Sequence, residues 1–232
     1  IPHSDANAST TQIIRRSLPI IASHCARLLP DALMHKQSSD FAETQMLWLR
    51  MAGLTYAVAR NTKRRGRNPM KCYELQGPDG IDGLALVDKP IPQPGAGEVL
   101  VRLRAATLNY RDLLTVKGGY GSRQKFPLVP VSDGAGVVEA IGTGVRSFTV
   151  GDRVIGSFFE NWLSGEPSEN KMRGALGGSA DGVLTEYRVF PAHALVKSPG
   201  HLSDIEAAAL PCAGVTAWSA VVKLSQIRPG QT

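Results

Sequence analysis

The sequence has few cysteines and no long apolar run. Its 232 residues include only Cys25, Cys72 and Cys212, far apart along the chain. That spacing excludes a disulfide framework, and the lack of a Cys-x-x-Cys pair excludes a zinc knuckle. No stretch of about 18 apolar residues occurs, so no membrane-spanning helix and no membrane partner are expected. A reduced, intracellular setting fits best, and a cytoplasmic location is predicted.

Positive charge is concentrated in the first part of the chain. Residues 1–69 hold 10 of the 26 Lys and Arg and 4 of the 20 Asp and Glu, whereas residues 70–232 hold 16 of each. Glycine divides in the same way, with 2 of 24 before Met70. The formal charge of +6 therefore belongs to the first segment, and no nucleic acid partner is expected at the main domain.

The first segment, residues 1–69, has three interpretations. Apolar residues recur at helical intervals over residues 41–59, and a basic run follows at residues 63–67. The Arg-rich, acid-poor composition suits a mitochondrial leader, which makes a mitochondrial location the alternative. The basic run also suits a nuclear or nucleic-acid patch. A poorly ordered extension is the interpretation we favour, because disorder concentrates at termini.

From Met70 onward the pattern is one of strands and glycine turns. Residues 99–105 alternate between apolar and polar, which predicts a half-buried strand. Further strands are predicted over residues 135–141, 153–155 and 182–190. Turns separate them, at Gly142 to Gly144 and at Gly151-Asp152, with no long helix between. This pattern of strands and turns predicts a mainly β fold built as a barrel rather than a parallel sheet.

The C-terminal segment carries helix signals. Ser203 and Glu206 have the spacing of a capping box, which predicts a short helix ending at Leu210, before Pro211. Residues 213–224 are mostly apolar, so a second, buried helix is predicted there, with Trp218 in the core.

Several motifs in order resemble the medium-chain dehydrogenase/reductase superfamily. They are PxPxPGxGEVLV at 90–101, LNYRD at 108–112, SDGAGVV at 132–138, VGDRV at 150–154, TEY at 185–187 and LPCAxxTAW at 210–218. The resemblance covers residues 70–232. It implies a GroES-like, partly open barrel over 70–202, and the helical start of a truncated cofactor-binding Rossmann domain over 203–232. A homodimer through that absent domain would follow.

The residues at the superfamily's zinc positions do not make a zinc site. By motif position Asn109 stands at the first Cys, Ser132 at the His, Asp133 at the neighbouring Glu and Cys212 at the second Cys. One Cys and one Asp are too few for a catalytic zinc, which typically has three protein ligands. The four clustered cysteines of the structural zinc lobe are also missing from residues 158–180. The resemblance is therefore to the zinc-independent branch, similar to quinone oxidoreductases.

Without a metal, a carbonyl must be polarised by hydrogen-bond donors. Asn109, Tyr110 and Arg111 supply an amide, a phenol and a guanidinium within one tetrapeptide, and they are the predicted catalytic residues. Tyr110 has the alternative of an ordinary surface aromatic. Asp112 is interpreted as structural, accepting backbone N–H groups in a turn.

The remaining predicted site residues are a pocket and a cofactor contact. Asp133, Phe159 and Trp162 are predicted to line the substrate pocket, with simple packing of the aromatic cluster at residues 158–162 as the open alternative. The resemblance places Thr216 near the nicotinamide of NAD(P)H, with a slight preference for NADPH. A helix residue bonding back to a carbonyl is its alternative.

The glycine pairs at positions 134/136 and 142/144 do not complete a dinucleotide fingerprint, because neither opens a helix. The fingerprint is expected after Thr232, so the chain alone is predicted to be inactive.

Two functions follow. The first is the substrate-binding part of an NAD(P)H-dependent, zinc-independent oxidoreductase. Such an enzyme moves a hydride to or from an aldehyde or ketone, an enone or a quinone, and its partner is that small molecule. The second is a non-catalytic barrel that binds protein or nucleic acid through the basic segment. Salt-dependent nucleic-acid binding lost on deleting residues 1–69 would favour the second.

Overall fold

The computed structural model describes residues 69–118 and 124–225, and this part of the chain is mainly β. Its strands are β1 Met70–Leu75, β2 Leu84–Lys89, β3 Glu98–Thr107, β4 Asp133–Ile141, β5 Arg153–Gly156, β6 Tyr187–Pro191 and β7 Leu195–Lys197. Its α-helices are α1 Tyr110–Val116, α2 Glu169–Met172, α3 Asp204–Ala208 and α4 Val215–Trp218. Single 3-10 turns lie at Gly80–Gly83 and Ala192–Ala194, and wider π-type turns lie at Leu210–Gly214 and Ser219–Leu224.

The main sheet has five strands in the order β6-β3-β4-β5-β7, and every neighbouring pair is antiparallel. β6 and β7 lie at opposite edges, yet only Ala192–Ala194 separates them. Four Cα steps cover at most about 14 Å, whereas the edges of a flat five-stranded sheet lie about 19 Å apart. The sheet therefore curls so that the end of β6 and the start of β7 come close together, which confirms the predicted barrel-type fold.

The separate β1–β2 hairpin joins this barrel through β1. The Tyr73 N–H donates to the Leu184 carbonyl at 2.9 Å, and the Leu75 and Leu128 backbones exchange two hydrogen bonds. The inward faces of the strands and of three loop segments form the main core. Its buried members are Val99, Val101, Leu103, Val131, Val138, Phe148, Val154, Leu176, Val183, Phe190 and Leu195.

Most sequence-based strand predictions are confirmed, and one is wrong at its start. The strands over 99–105, 135–141 and 153–155 lie within β3, β4 and β5. The strand predicted over 182–190 is reduced to β6, because the backbone before Tyr187 bonds elsewhere. Gly182 and Val183 donate to the Val129 and Val131 carbonyls instead of joining the β3 ladder.

The C-terminal helices match the prediction in position and differ in burial. The capping box forms, since the Ser203 N–H donates to Glu206 Oε2 at 2.8 Å and the Glu206 N–H donates to Ser203 Oγ at 3.3 Å. The α-helix ends at Ala208, and the chain continues in a π-type turn through Pro211 instead of stopping at Leu210. The prediction of a buried helix over 213–224 is wrong, because Trp218 is 67% exposed and Leu224 76% exposed.

The predictions for residues 1–68, including the helix over 41–59 and the basic run, lie outside the described residues. β1 begins at Met70, the residue at which the charge balance changes. Among the described residues no helix is both long and apolar enough to cross a bilayer.

Candidate functional site

The LNYRD motif sits where β3 ends and α1 begins. Asn109 precedes the helix with an extended backbone, and its N–H donates to Asp112 Oδ2 at 2.7 Å. This bond to the third residue of the helix is half of a capping box, and it confirms that Asp112 accepts a backbone N–H in a turn. Tyr110, the first helical residue, is 56% exposed, so its side chain is open to solvent.

Arg111 points into the protein and is only 7% exposed. Its Nη1 donates to the Leu176 carbonyl at 2.9 Å and to Asp112 Oδ1 at 3.2 Å. Its guanidinium carbon lies 4.7 Å from the centre of the Phe158 ring, which is cation–π distance. Arg111 therefore fastens α1 to the loops around Phe158 and Leu176. Its catalytic assignment stays a prediction.

Asp133, the first residue of β4, lies at the centre of the cluster. Both of its carboxylate oxygens accept short hydrogen bonds: Ser132 Oγ donates to Oδ1 at 2.6 Å, and the Cys212 N–H donates to Oδ2 at 2.7 Å. Ser132 and Asp133 are fully buried. The residues at all four zinc-equivalent positions thus lie near one another, because the Asn109 side chain is close enough to this carboxylate to lower its pKa.

Burial dominates the electrostatics of the two neighbouring carboxylates. Desolvation raises the pKa of Asp112 to about 6, against the opposing effects of the Asn109 N–H and the Arg111 charge. Desolvation likewise raises the pKa of Asp133, while the Ser132 hydroxyl and the Cys212 N–H lower it. Both carboxyls are therefore harder to ionise here than in water.

Cys212 contributes its backbone to the cluster and keeps a neutral thiol. Burial and the adjacent Asp133 carboxylate raise the pKa of the Cys212 thiol above its ordinary value. Since the thiolate is the reactive and metal-binding form, this environment disfavours nucleophilic use of Cys212. Burial also raises the pKa of Cys72 to about 11.

The aromatic cluster predicted from residues 158–162 exists. The Phe158 and Phe159 ring centres are 4.6 Å apart, and those of Phe159 and Trp162 are 5.6 Å apart. All three rings are half-buried, and the Trp162 indole N–H donates to the Gly165 carbonyl at 3.0 Å. Phe158 also carries the Arg111 contact. The structure thus shows packing for the cluster, and pocket lining by Phe159 and Trp162 remains a prediction.

The loop before β4 contains a feature that the sequence did not indicate. Val131 is fully buried and has a φ of +73°, a left-handed conformation that is strained for a β-branched residue. Its backbone is enclosed by two glycines, since a Cβ at Gly177 would lie 2.6 Å from the Val131 nitrogen and one at Gly182 would overlap its carbonyl oxygen. No local signal predicts this, because Val normally avoids that conformation.

Thr216 lies in α4 and is exposed. The Asp133–Cys212 hydrogen bond lies one helical turn before it. The predicted contact between Thr216 and a nicotinamide stays a prediction. His193 and His201 are exposed.

The donor set does not fit a catalytic zinc. Asn109 and Ser132 supply neutral oxygen and nitrogen atoms, both Asp133 oxygens already accept protein hydrogen bonds, and Cys212 has a disfavoured thiolate. In residues 69–118 and 124–225, no three His, Cys, Asp or Glu side chains come together as a metal-binding group.

The described residues also do not form a complete dinucleotide cradle. Gly134 and Gly136 lie inside β4, where a Cβ on Gly136 would overlap the Arg102 carbonyl, so close strand packing explains that glycine. Gly142 packs against the Gly95 carbonyl in the same way. Neither pair leads into a helix N-terminus, which a pyrophosphate site needs.

Comparison with known proteins identifies the domain. Residues 95–200 match the family model of the alcohol dehydrogenase GroES-like domain. A zinc-type alcohol dehydrogenase-like protein of Schizosaccharomyces pombe is 48% identical over 154 residues, 65% of this chain and 44% of that relative. A chloroplastic quinone oxidoreductase of Triphysaria versicolor is 37% identical over 146 residues, 62% of this chain and 39% of the relative.

Solved structures agree. An NAD-dependent alcohol dehydrogenase matches with a TM-score of 0.60 and 37% identity, over 69% of this chain and 49% of the other. A cobalt- and zinc-bound thermostable alcohol dehydrogenase from Pyrobaculum aerophilum matches with a TM-score of 0.61 and 32% identity, over 70% and 50%.

The barrel is therefore a GroES-like domain of the alcohol dehydrogenase type. The resemblance to the medium-chain dehydrogenase/reductase superfamily is confirmed, and the chain spans less than half the length of the curated relatives it matches.

Proposed function

We propose that this chain is the substrate-binding part of a zinc-independent, NAD(P)H-dependent oxidoreductase that acts on a carbonyl compound, an enone or a quinone. The likeness to alcohol dehydrogenases and quinone oxidoreductases supports the reaction class. A hydride acceptor conjugated to a carbonyl needs less activation than a plain ketone, because the charge that develops is spread over the conjugated system instead of being confined to one alkoxide oxygen. Enones and quinones are therefore the favoured substrates of a site without a metal.

The observation that carries the proposal is the state of Asp133. Its two oxygens are occupied by Ser132 and the Cys212 backbone, so the one carboxylate among the four zinc-equivalent positions is already engaged by protein donors. One relative is named zinc-type, and one solved neighbour is described as zinc-bound. A measurement of bound metal therefore distinguishes the proposed zinc-independent enzyme from a zinc-dependent one.

In place of a metal, the exposed phenol of Tyr110 is the proposed hydrogen-bond donor to the substrate oxygen. It is held at the first position of α1, whose start is fixed by the bond between Asn109 and Asp112. Arg111 supports the same turn from the interior through Asp112 and Leu176. A donor on a fixed turn stabilises developing charge without first having to reorganise.

The nucleotide is proposed to bind mainly through residues outside the described barrel, with Thr216 as this chain's contact. NADPH is the slightly favoured form. The 232-residue chain by itself is expected to show no NAD(P)H-dependent quinone or enone reduction, because the described residues lack a pyrophosphate cradle. A homodimer and a cytoplasmic location, with the mitochondrion as alternative, belong to this proposal as well.

The test uses protein translated from the complete reading frame. It should oxidise NADPH with a quinone or enone, contain less than stoichiometric zinc by atomic absorption, and keep its rate after treatment with a chelator. Tyr110→Phe should lower kcat/KM by about 100-fold, in line with the loss of one charge-stabilising donor. Val150→Ser, an exposed position in the turn before β5, is the matched control and should leave the rate unchanged.

Stoichiometric zinc whose removal abolishes the activity, or an unchanged rate in Tyr110→Phe, would contradict the proposal. Zinc that is also lost in Cys212→Ser would locate the metal at the positions considered above.

A further inference from the structure

A buried hydrogen-bonded link joins the barrel to the helical segment at its C-terminal end. It runs from Ser132 through the Asp133 carboxylate to the backbone N–H of Cys212, which lies 79 positions after Asp133 in the sequence. Hydrogen bonds to an ionised acceptor are shorter and roughly twice as strong as neutral ones. The 2.6 and 2.7 Å distances belong to that class.

We propose that Asp133 is a positioning residue: its carboxylate fixes Cys212, and with it the segment that carries Thr216, against the first residue of β4. The link lies at the positions where a zinc-dependent relative would place its ligands. Two hydrogen bonds therefore hold the two segments together here, as ligand bonds to a metal would in such a relative. The inference rests on the proposed function in one respect only, the assumption that this site holds no zinc.

Several contacts hold the backbone just before Asp133 in place. Two residues earlier, Val131 is held in a left-handed conformation, and its carbonyl accepts the Val183 N–H at 2.8 Å. Gly177 and Gly182, both in the loop between α2 and β6, lie so close to the Val131 backbone that neither position leaves space for a Cβ. A non-glycine residue in this region costs about 1–3 kcal/mol and persists only where its surroundings impose it. The strain sits directly before the two residues that make the link.

The other attachments of this segment lie further toward its N-terminus. Ala207 and Ala208 of α3 pack on Ala105, Ala135 and Ile155 of the sheet. Asp204 pairs with Arg153 at 2.8 Å and with Arg104 at 3.4 Å. These contacts hold α3 itself. Asp133 acts beyond them, on the turn that leads to Thr216, so its effect is separable from the attachment of α3.

The test follows the Cys212 amide by NMR in the 232-residue chain. In the wild type this N–H should resonate downfield, as expected for a bond to a carboxylate, and exchange with solvent at least about ten-fold more slowly than the Ala213 N–H. Asp133→Asn should move the resonance upfield and raise the exchange rate about ten-fold, the factor that corresponds to one ordinary hydrogen bond. Alkylation of the Cys212 thiol, followed by peptide mass spectrometry, should accelerate in parallel.

Asp204→Asn is the matched control. It removes a carboxylate that attaches α3 and should leave the Cys212 amide shift unchanged. A merely structural role for Asp133 would make both variants loosen the segment alike. If Asp133→Asn does not fold, the comparison of the Cys212 and Ala213 amide exchange rates in the wild type still tests the inference.

A Cys212 amide that exchanges as fast as its neighbour in the wild type, or an amide shift unaltered in folded Asp133→Asn, would overturn the inference. One equivalent of zinc chloride should change neither the shift nor the alkylation rate. Protection of the thiol by zinc would overturn both the link and the zinc-free premise. An inactive full-length enzyme with an intact link would count against the proposed function alone.

Discussion

Asp112 shows how a local interaction and a buried environment shape one side chain. The LNYRD spacing was enough to predict that it accepts a backbone N–H, because donor and acceptor lie three residues apart. Its complete burial was not predictable, since it depends on the packing of α1 under loops that come later in the chain. The same holds for Arg111, whose partners Leu176 and Phe158 lie far away in sequence.

A pH-dependent contribution to stability follows from Asp112. Its pKa is raised to about 6 in the folded state, above the ordinary value of 3.8. The folded form therefore binds the proton more tightly, and the associated stability is fully present below pH 3.8 and is lost as the pH rises through about 6. Asp112→Asn, which cannot ionise, should gain stability relative to the wild type between about pH 4 and pH 7.

The gain amounts to at most about 3 kcal/mol, at about 1.4 kcal/mol per pH unit. Urea unfolding of both proteins at several pH values measures it. A difference between the two proteins that stays constant across this range would show that Asp112 keeps an ordinary pKa.

At the scale of single elements, signals confined to a few neighbouring residues predicted strands and helix starts correctly. The predicted burial of residues 213–224, in contrast, was wrong. The period-two alternation predicted β3, and the Ser203 to Glu206 spacing predicted the start of α3. The stretch 213–224 was predicted to be buried from its apolar composition alone. Composition reports the preference of side chains, while burial requires another element to cover them, and none of the described elements does so for Trp218.

The capping box of α3 offers an element-scale prediction. Ser203→Ala removes the acceptor for the Glu206 N–H and the donor to Glu206 Oε2. It should destabilise the fold by about 1 kcal/mol, whereas Ser203→Asp should retain most of the stability because Asp also caps helices. Thermal unfolding of the wild type and the two variants is the measurement. Equal midpoints for the wild type and Ser203→Ala would mean that the α3 cap does not contribute to the cooperative fold.

At the scale of the whole molecule, several large apolar side chains within residues 215–224 are exposed in the described part. Val215, Trp218 and Leu224 are each at least 60% exposed. Contiguous exposed apolar surface is unusual and binds hydrophobic probes. The native chain should therefore enhance the fluorescence of an anilinonaphthalene dye, and Trp218→Ser should reduce that enhancement at least about two-fold.

Val150→Ser is the control for dye binding, because Val150 is also exposed but stands alone in a turn. It should leave the fluorescence unchanged. Equal dye binding by wild type and Trp218→Ser would contradict an apolar surface centred on this helix.

The barrel also sets the order in which the protein can assemble during synthesis. β1 is completed early, yet its Tyr73 N–H has its acceptor at Leu184, and the Lys71 carbonyl accepts from Glu186. At roughly 5–20 residues per second, the ribosome adds the roughly 110 intervening residues in about 5–20 s. During that interval the β1–β2 hairpin carries an unpaired edge and is only marginally stable alone. During that interval β1 therefore presents an unpaired strand edge to chaperones and neighbouring nascent chains.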